Sequence, residues 1–313
     1  MNEISEDNKA CCPFCGFSRA GYNPPEGAFQ PEDFFENRYY VGKAYKNDPA
    51  GTSYIVLDTV MGRKSVLRLM SDGSKGSSAH RQKAGAGFRL YERREKFLSA
   101  YKKIAATEVS ALPVTYTCNT NASTAYAVCE FISDVTLPMF LEQTGGKTFE
   151  GAKKYLLSVI VALKLLHDNG IVHGQLTPDC IRKTDKTFVL CDIGAVSSSE
   201  KELLPEADIK AFLLIFISTM YGSPFMADAS IINKGFLSKN ELELPEEAIK
   251  YIFDVFNGGG DTEISAGKIL EVFYHSSNIA VLRPKTVPAV SSQLLETVQK
   301  SGVPVTQLIT SLV

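Results

Sequence analysis

The stretch of sequence that decides the fold runs from residue 163 to residue 196 and reads LKLLHDNGIVHGQLTPDCIRKTDKTFVLCDIGAV. Apolar residues recur at helical spacing before and into it, at Tyr155, Leu156, Val159, Ile160, Leu163 and Leu166. Asn169 and Gly170 end this helix, because both residue types tolerate a left-handed backbone. The apolar run 187–191 indicates a short buried strand. The stretch therefore predicts a helix, a turn, a polar loop and a strand that leads into DIG at 192–194.

This order of elements resembles the catalytic core of a protein kinase, whose catalytic loop reads H-R-D-x-x-x-x-N and whose metal loop reads D-F-G. More narrowly, it resembles the bacterial eukaryotic-like serine/threonine kinases with the loop H-R-D-I-S-P-D-N-I. The matching residues are His173, Pro178, Asp179, Ile181, Asp192 and Gly194. Gly174 replaces the Arg, Gln175 the catalytic Asp and Cys180 the metal-binding Asn. The resemblance therefore implies a kinase frame with altered catalytic positions.

Gln175 and Cys180 are poor substitutes for the residues that the resemblance places there. A carboxamide cannot receive the hydroxyl proton of a substrate as the carboxylate of a general base does. Mg²⁺ prefers oxygen ligands, and a thiol offers none. Among these positions only Asp192 keeps its chemistry, so the resemblance implies a pseudokinase without catalytic residues.

The segment 39–70 resembles the first three strands of the kinase small lobe. The family has a glycine-rich loop there, because backbone N–H groups must approach the ATP phosphates closely. In this chain the loop at 44–54 keeps only Gly51 of that pattern. The acidic Asp48 and Pro49, which has no N–H, make a poor phosphate cradle. An ordinary hairpin is the favoured prediction.

Both members of the kinase Lys–Glu ion pair differ in this chain. Arg68, in a predicted strand, stands in the place of the Lys and keeps the charge without the compact ammonium group. A surface or salt-bridged strand residue is the alternative interpretation of Arg68. The glutamate position falls on Ala100, in a helix predicted over 90–106, while Glu95 lies on another face of that helix.

Two further strands are predicted over 115–119 and 124–131, joined by a polar turn. The second resembles the family strand that leads into the hinge beside the nucleotide, which places Cys129 at the border of the nucleotide pocket and the hinge at 130–132. The nucleotide-contacting positions that the resemblance implies are Gly51, Arg68, Cys129, Glu130, Phe131 and Asp192.

The second half of the chain is predicted to be mostly helical, with a shortened activation segment. In kinases this segment follows D-F-G and ends in A-P-E. Here residues 196–207 lead directly into a helix over 208–216, and the A-P-E motif is absent. That helix is apolar on all sides, which predicts that it is buried. Helices predicted over 246–256 and 265–273 complete this part.

The predicted fold is α+β and bilobal. A small β-rich N-lobe with one helix is expected over 37–133, and a mostly helical C-lobe over 134–283. Residues 1–36 are expected to form an N-terminal linker, and residues 284–313 a helical tail. The tail is predicted to dock on the lobe, and binding of a partner is the alternative.

The linker contains a C-P-x-C-G knuckle with Cys12 and Cys15. Two thiolates at this spacing suit one half of a zinc ribbon. A structural zinc site needs four ligands, and the sequence contains no second C-x-x-C motif. Zinc binding, a vestigial knuckle and a site completed by another chain are the three interpretations of this motif.

Composition and charge indicate which partners and which compartment to expect for the protein. The net charge of −2 gives no electrostatic reason to expect nucleic acid. The sequence shows no signal peptide and no run of about 18 apolar residues that would span a membrane. Seven cysteines, an odd number, indicate a reducing compartment without a disulfide framework. A cytoplasmic protein is therefore expected.

These observations favour a catalytically inactive kinase-like module that acts as a regulatory or scaffolding interaction domain. The expected partner is a protein, either an active kinase or a membrane-associated assembly. One alternative is an ATP sensor without turnover, with Asp192 and Arg68 as nucleotide contacts. The other is a protein kinase with residual phosphoryl transfer through altered residues. The favoured interpretation requires no cofactor; the alternatives involve ATP, and the knuckle involves zinc.

Overall fold

The computed structural model describes residues 22, 23, 25, 27–48, 51–70, 86–107, 109–121, 124–193, 204–222, 228–238, 243–258 and 262–275. The predictions for the Cys12 and Cys15 knuckle, for Gly194, for most of the activation segment and for the C-terminal tail lie outside these residues. The fold is α+β, as predicted, with strands in the N-terminal part and helices in the C-terminal part.

The described chain divides into two compact units. The first, called here the sheet unit, contains the described residues up to Leu98 and the segment Val114–Phe131. The second, called the helical unit, contains Ser99–Pro113 and the described residues from Ile132 onwards. The limits of the linker and of the tail stay predictions, because most of those residues lie outside the described part.

The sheet unit contains six strands: β1 (Phe34–Phe35), β2 (Tyr39–Asp48), β3 (Gly51–Asp58), β4 (Arg63–Met70), β5 (Thr115–Thr120) and β6 (Ala125–Glu130). They form one antiparallel sheet in the order β1-β2-β3-β4-β6-β5. The three strands predicted within 39–70 and the hairpin predicted over 115–131 are confirmed. The two-residue strand β1 is too short for a sequence period to indicate.

One face of the sheet carries an apolar core, because aromatic and β-branched side chains alternate along its strands. The buried members are Phe35, Tyr39, Val41, Tyr54, Val56, Leu67, Tyr126 and Val128. The buried carboxylate of Asp58 fixes the turn between β3 and β4. It accepts hydrogen bonds from the Arg38 guanidinium at 2.9 and 2.8 Å and from the N–H groups of Val60 and Met61 at 3.2 Å.

Helices make up most of the remaining described chain: α1 (Ala86–Ala105), α2 (Leu137–Thr144), α3 (Phe149–Asp168), α4 (Pro205–Tyr221), α5 (Lys234–Leu237), α6 (Glu246–Asn257) and α7 (Ala266–Tyr274). A small hairpin, β7 (Ile181–Lys183) and β8 (Phe188–Leu190), lies between α3 and α4 in the chain. The helices predicted over 90–106, 208–216, 246–256 and 265–273 are confirmed within a few residues at each end.

The helix α3 is central to the helical unit and packs against α4, α7 and β8. Thr148 caps its N-terminus by accepting a hydrogen bond from the N–H of Gly151 at 3.2 Å. The helix ends at Asp168, and Gly170 then adopts a left-handed φ of 70°. Asn169 has a φ of −95°, so the left-handed turn predicted for this pair rests on the glycine alone.

The helix α4 is buried on most sides, as its apolar sequence predicts. Its buried apolar residues are Ile209, Phe212, Leu213, Ile215, Phe216, Ile217 and Met220. The Phe216 ring meets Phe149 and Phe273 edge to face, with ring centroids 5.6 and 5.0 Å away. This packing holds α4 in the interior of the helical unit, and Asp208 in its first turn is buried as well.

Candidate functional site

Asp208 anchors the loop that follows α3. Its carboxylate is buried and accepts hydrogen bonds from the N–H of His173 at 2.7 Å and the N–H of Gly174 at 2.8 Å. The Nε2 atom of His167, in the last turn of α3, lies 3.0 Å from the same carboxylate. One buried carboxylate therefore joins the end of α3, the loop and the start of α4. A carboxylate is tolerated inside a protein when it is hydrogen-bonded in this way.

His173 connects this loop to the residue after β8. The imidazole is fully buried, and its Nε2 atom lies 3.1 Å from the carbonyl oxygen of Cys191. Burial lowers the pKa of the His173 imidazole. Interactions with Cys180 and Asp208 outweigh burial and raise this pKa above its ordinary value. His173 therefore acts as an internal connector of the loop.

The two altered catalytic positions, Gln175 and Cys180, contact each other. Cys180 ends a short 3₁₀ turn, Pro178–Cys180, and is fully buried. Its thiol donates to the carbonyl oxygen of Gln175 at 3.5 Å, and its Sγ lies 3.3 Å from Oγ1 of Thr177. The residue at the metal-ligand position therefore bonds within its own loop.

Asp192 follows β8 and is half-buried. Its backbone adopts a left-handed φ of 60°, which is uncommon for residues other than glycine but tolerated by aspartate. The neighbouring carbonyl of Ile193 accepts a hydrogen bond of 2.5 Å from the hydroxyl of Tyr101. Asp192 thus keeps the residue type and a constrained backbone at the metal-loop position.

Arg68, in β4 of the sheet unit, is buried and salt-bridged. Its Nη2 atom donates to the Asp48 carboxylate oxygens at 2.8 and 3.0 Å, and its Nη1 atom donates to Oγ of Ser53 at 3.1 Å and to the carbonyl of Gly51 at 3.3 Å. The arginine side chain is 2% exposed. The salt-bridged interpretation of Arg68 is therefore confirmed, and a surface position for it is wrong.

Gly51 begins β3 directly after the β2–β3 turn. It pairs with Asp48 across that turn and with Met70 of β4. A Cβ atom at this position would lie 1.9 Å from the carbonyl oxygen of Leu69, so a larger residue does not fit without a backbone shift. The hairpin favoured by the sequence is confirmed, and the need for glycine arises from strand packing.

The three residues predicted around the hinge support local structure in the sheet unit. Cys129 is buried in β6, with its Sγ 3.8 Å from Oγ1 of Thr115. The Glu130 carboxylate accepts a hydrogen bond from the N–H of Val114 at 3.0 Å, beside a backbone bond of 2.8 Å to the same residue. The Lys64 ammonium lies 3.8 Å from the centre of the Phe131 ring.

The structure therefore brings together Gly51 with Arg68 in one unit and Gln175 with Cys180 in the other. Ala100, at the predicted glutamate position, is partly buried and packs against the core of the helical unit. Two partners were not predicted from the sequence: Ser53, which binds Arg68, and His167, which contacts Asp208. No local pattern indicates such partners, because they lie 15 and 41 residues apart in the chain.

No protein-family model matches the chain. It is 23% identical over 169 residues to a probable serine/threonine-protein kinase of Clostridium acetobutylicum, a match that covers 54% of the chain and 24% of that protein. It is 25% identical over 189 residues to serine/threonine-protein kinase PknG of Mycobacterium leprae, covering 59% of the chain and 23% of that protein. The chain thus spans about a quarter of the length of these curated relatives.

The solved structure of PpkA-294 in its apo form has a TM-score of 0.57 to this chain, with 14% sequence identity. The match covers 79% of the chain and 99% of that structure, and at this identity it shows the fold alone. The fold is kinase-like, and the weak homologies to bacterial serine/threonine kinases support a kinase-like family. The chain therefore has a kinase-like fold and weak sequence similarity to bacterial serine/threonine kinases.

None of the described helices combines the length and the apolar character needed to cross a bilayer. Within the same residues, no cluster of three or more His, Cys, Asp or Glu side chains has the arrangement of a metal site. The knuckle cysteines lie outside the described residues.

Proposed function

We propose that this module is a pseudokinase, which binds and regulates a protein partner and does not transfer phosphate. One observation carries the proposal: the loop that bears Gln175 and Cys180 is anchored by Asp208, while the two side chains lack the chemistry of a base and a Mg²⁺ ligand. Phosphoryl transfer depends on positioning and electrostatic stabilisation. A loop that is held in place but lacks a general base and a metal ligand supports a role in binding.

A transfer assay with labelled ATP tests the loss of catalysis. The full chain is incubated with Mg²⁺ or Mn²⁺ and with general protein acceptors, and we expect no label above the level of the Asp192→Ala variant. Label transfer by the wild type that disappears in Asp192→Ala would contradict the proposal, because it would show that the altered residues still support the reaction.

We propose a protein as the partner, either an active kinase or a membrane-associated assembly. Affinity capture with the full chain should retain one partner in near-equal amounts with the wild type, with Asp192→Ala and with Gln175→Ala. Equal retention is expected because binding by a scaffold does not need the positions that chemistry needs. Loss of the partner in both variants, with the fold intact, would point instead to a nucleotide-dependent interaction.

An ATP sensor without turnover is the second candidate, and Asp192 favours it. This residue keeps its type and a left-handed backbone at the position that binds the metal in kinases. A thermal-shift titration with ATP, with and without Mg²⁺, tests the candidate, because a ligand that binds only the folded state raises its stability. A Mg²⁺-dependent shift that is lost in Asp192→Ala is the result a sensor requires.

We also propose a reducing, cytoplasmic location. The sequence has seven cysteines, an odd number that does not suit a disulfide framework, and reducing compartments keep such thiols reduced. Counting the thiols of protein purified from its own cells, before and after reduction, tests this. An equal count is expected, and a count that rises on reduction would show disulfides and contradict the proposal.

A further inference from the structure

The Asp48 carboxylate lies where several donors of the sheet unit converge. Arg68 Nη2 is 2.8 Å away, the Gly51 N–H donates at 3.0 Å, and the Lys46 ammonium lies 3.5 Å away. The hydroxyl of Ser53 is bound to the same guanidinium at 3.1 Å. Two cations and a backbone N–H around one oxyanion are the usual components of a phosphate site.

This ion pair is largely withdrawn from water. The arginine side chain is 2% exposed and the aspartate side chain 12%. A charge interaction between groups of such low exposure is stronger than between groups in bulk water. An incoming phosphate would have to displace the carboxylate and would be repelled by it as long as it stayed in place.

We propose that Asp48 is an internal substitute for an anionic ligand, and that its pair with Arg68 closes a phosphate-type oxyanion site in the sheet unit. In the native protein, this ion pair keeps the phosphate chain of a nucleoside triphosphate out of the site. This inference rests on the proposed function, in that a module without phosphoryl transfer has no use for an open phosphate-binding cation.

The contacts identify the chemistry of the site. The Asp48 carboxylate bridges the end of β2 and the centre of β4, where Arg68 pairs with Ala127 of β6. Its position is fixed from both ends, because the aspartate also bonds Gly51 across the turn. A residue held in this way presents its oxygens to the guanidinium without needing a ligand.

The experiment titrates inorganic pyrophosphate and ATP into the full chain, at constant ionic strength, and follows melting temperature and heat of binding. The variants are Asp48→Ala, Asp48→Asn and the double variant Asp48→Ala/Arg68→Gln. Removal of the carboxylate takes away a repulsion and leaves the cations, so Asp48→Ala should bind pyrophosphate about tenfold or more tightly than the wild type. The double variant should lose this gain.

Each outcome decides the proposal. A folded Asp48→Ala or Asp48→Asn variant that binds pyrophosphate no better than the wild type would overturn it. So would an equal gain in the double variant, because the anion would then act without Arg68. If Asp48→Ala does not fold, the isosteric Asp48→Asn carries the test, with a melting temperature that rises on adding pyrophosphate.

The result is separable from the test of catalysis. Binding of ATP by the wild type through Arg68, without label transfer, would defeat this inference and leave the pseudokinase proposal standing. If the wild type transfers label and Asp48→Ala still gains affinity for pyrophosphate, the pseudokinase proposal fails and this inference stands. ATP binding by the wild type that needs Asp192 and is unchanged by Arg68→Gln would support the inference, because the guanidinium would then take no part in binding phosphate.

Discussion

The loop anchored by Asp208 and the cation in β4 differ in opposite ways from the kinase pattern that the sequence resembles. In the loop the groups that hold the backbone are kept, and the side chains that would act on a substrate are replaced. In β4 the positive charge is kept, as Arg68, but it is bound to the carboxylate of Asp48. In both regions the retained polar groups bind other groups of the same protein.

The two regions separate the groups that folding requires from the groups that catalysis requires. The N–H groups of His173 and Gly174 are satisfied by Asp208, and buried N–H groups without an acceptor are costly in any fold. A general base and a metal ligand have no such role in folding. Their replacement by Gln175 and Cys180 therefore leaves the loop intact.

The largest effect is expected from Asp208→Ala. The substitution leaves two buried N–H groups and the His167 side chain without their acceptor, so the free energy of unfolding should fall by about 3–5 kcal/mol. Urea unfolding followed by circular dichroism measures the change. Glu206→Ala, at an exposed position in the same turn of α4, is the matched control and should change stability by less than about 0.5 kcal/mol.

A loss of stability in Asp208→Ala no larger than that of the control would contradict the role of Asp208 in holding the loop. It would mean that the loop is held by other contacts, such as the bond between His173 and Cys191. The Asp208→Asn variant sharpens the reading, because the amide can accept one of the two hydrogen bonds and should lose less stability than the alanine.

The next effect is expected in the sheet unit. Arg68→Met removes the guanidinium that donates two hydrogen bonds to the Asp48 carboxylate, and should cost about 2–3 kcal/mol of unfolding free energy. The double variant Asp48→Leu/Arg68→Met removes both charges and should recover part of that loss, since a buried ion pair is often replaceable by apolar side chains. Unfolding of the two single variants and the double variant gives the coupling energy of the pair.

A coupling energy near zero would show that the two residues contribute independently, against the close pairing in the structure. A coupling of about 1–3 kcal/mol is expected for charged groups in direct contact. Lys164→Met with Asp168→Leu, an exposed ion pair of α3 whose side chains are 36% and 57% exposed, is a control that should show less than about 1 kcal/mol.

The regular elements follow from the sequence because their signals are local. The sequence predicts the end of α3 correctly, and it predicts α4 but not its full length, because the observed helix extends beyond 208–216 at both ends. Pro205 at the first position explains why α4 begins earlier than predicted. The elements not predicted include the eight-residue helix α2 and three shorter ones, β1, β7 and α5, which have two to four residues each and are too short for a period to show. They depend on tertiary packing.

The candidate site is less predictable, because its contacts join distant residues. The exchange of the general base for Gln175 is visible in the sequence once the loop is aligned. The pairing of Arg68 with Asp48 is not, since it depends on how the β2–β3 hairpin folds beside β4, 20 residues further along the chain. Sequence alone therefore identifies which groups have changed, and the structure shows what the retained groups bind.

A smaller effect is expected when the two altered loop positions are restored together. Gln175→Asp with Cys180→Asn should lower stability by about 1–2 kcal/mol, because the asparagine is larger than the buried thiol it replaces. We expect no label transfer from ATP by this variant, since Arg68 remains bound to Asp48. Unfolding in urea and the labelled-ATP assay give the two readouts.

Label transfer gained by this loop variant would contradict the role proposed for the sheet unit. It would show that the Arg68–Asp48 pair does not prevent the use of ATP. If the loop variant is inactive, as expected, the triple variant that adds Asp48→Ala tests the closed oxyanion site, and transfer should appear only after the aspartate is removed.

The smallest effect concerns the pH dependence of the loop. Contacts with Cys180 and Asp208 raise the folded-state pKa of His173 above its unfolded value of about 6.5. Between these two pKa values the folded state binds more protons than the unfolded state, so this contribution is fully present below about pH 6.5 and is lost as pH rises through the folded pKa. Measuring unfolding free energies of wild type and His173→Asn across this range should give a difference that decreases with pH. A difference that stays constant would show that His173 is neutral in the folded loop, and the carboxylate of Asp208 would then hold the loop through His167 and the backbone N–H groups alone.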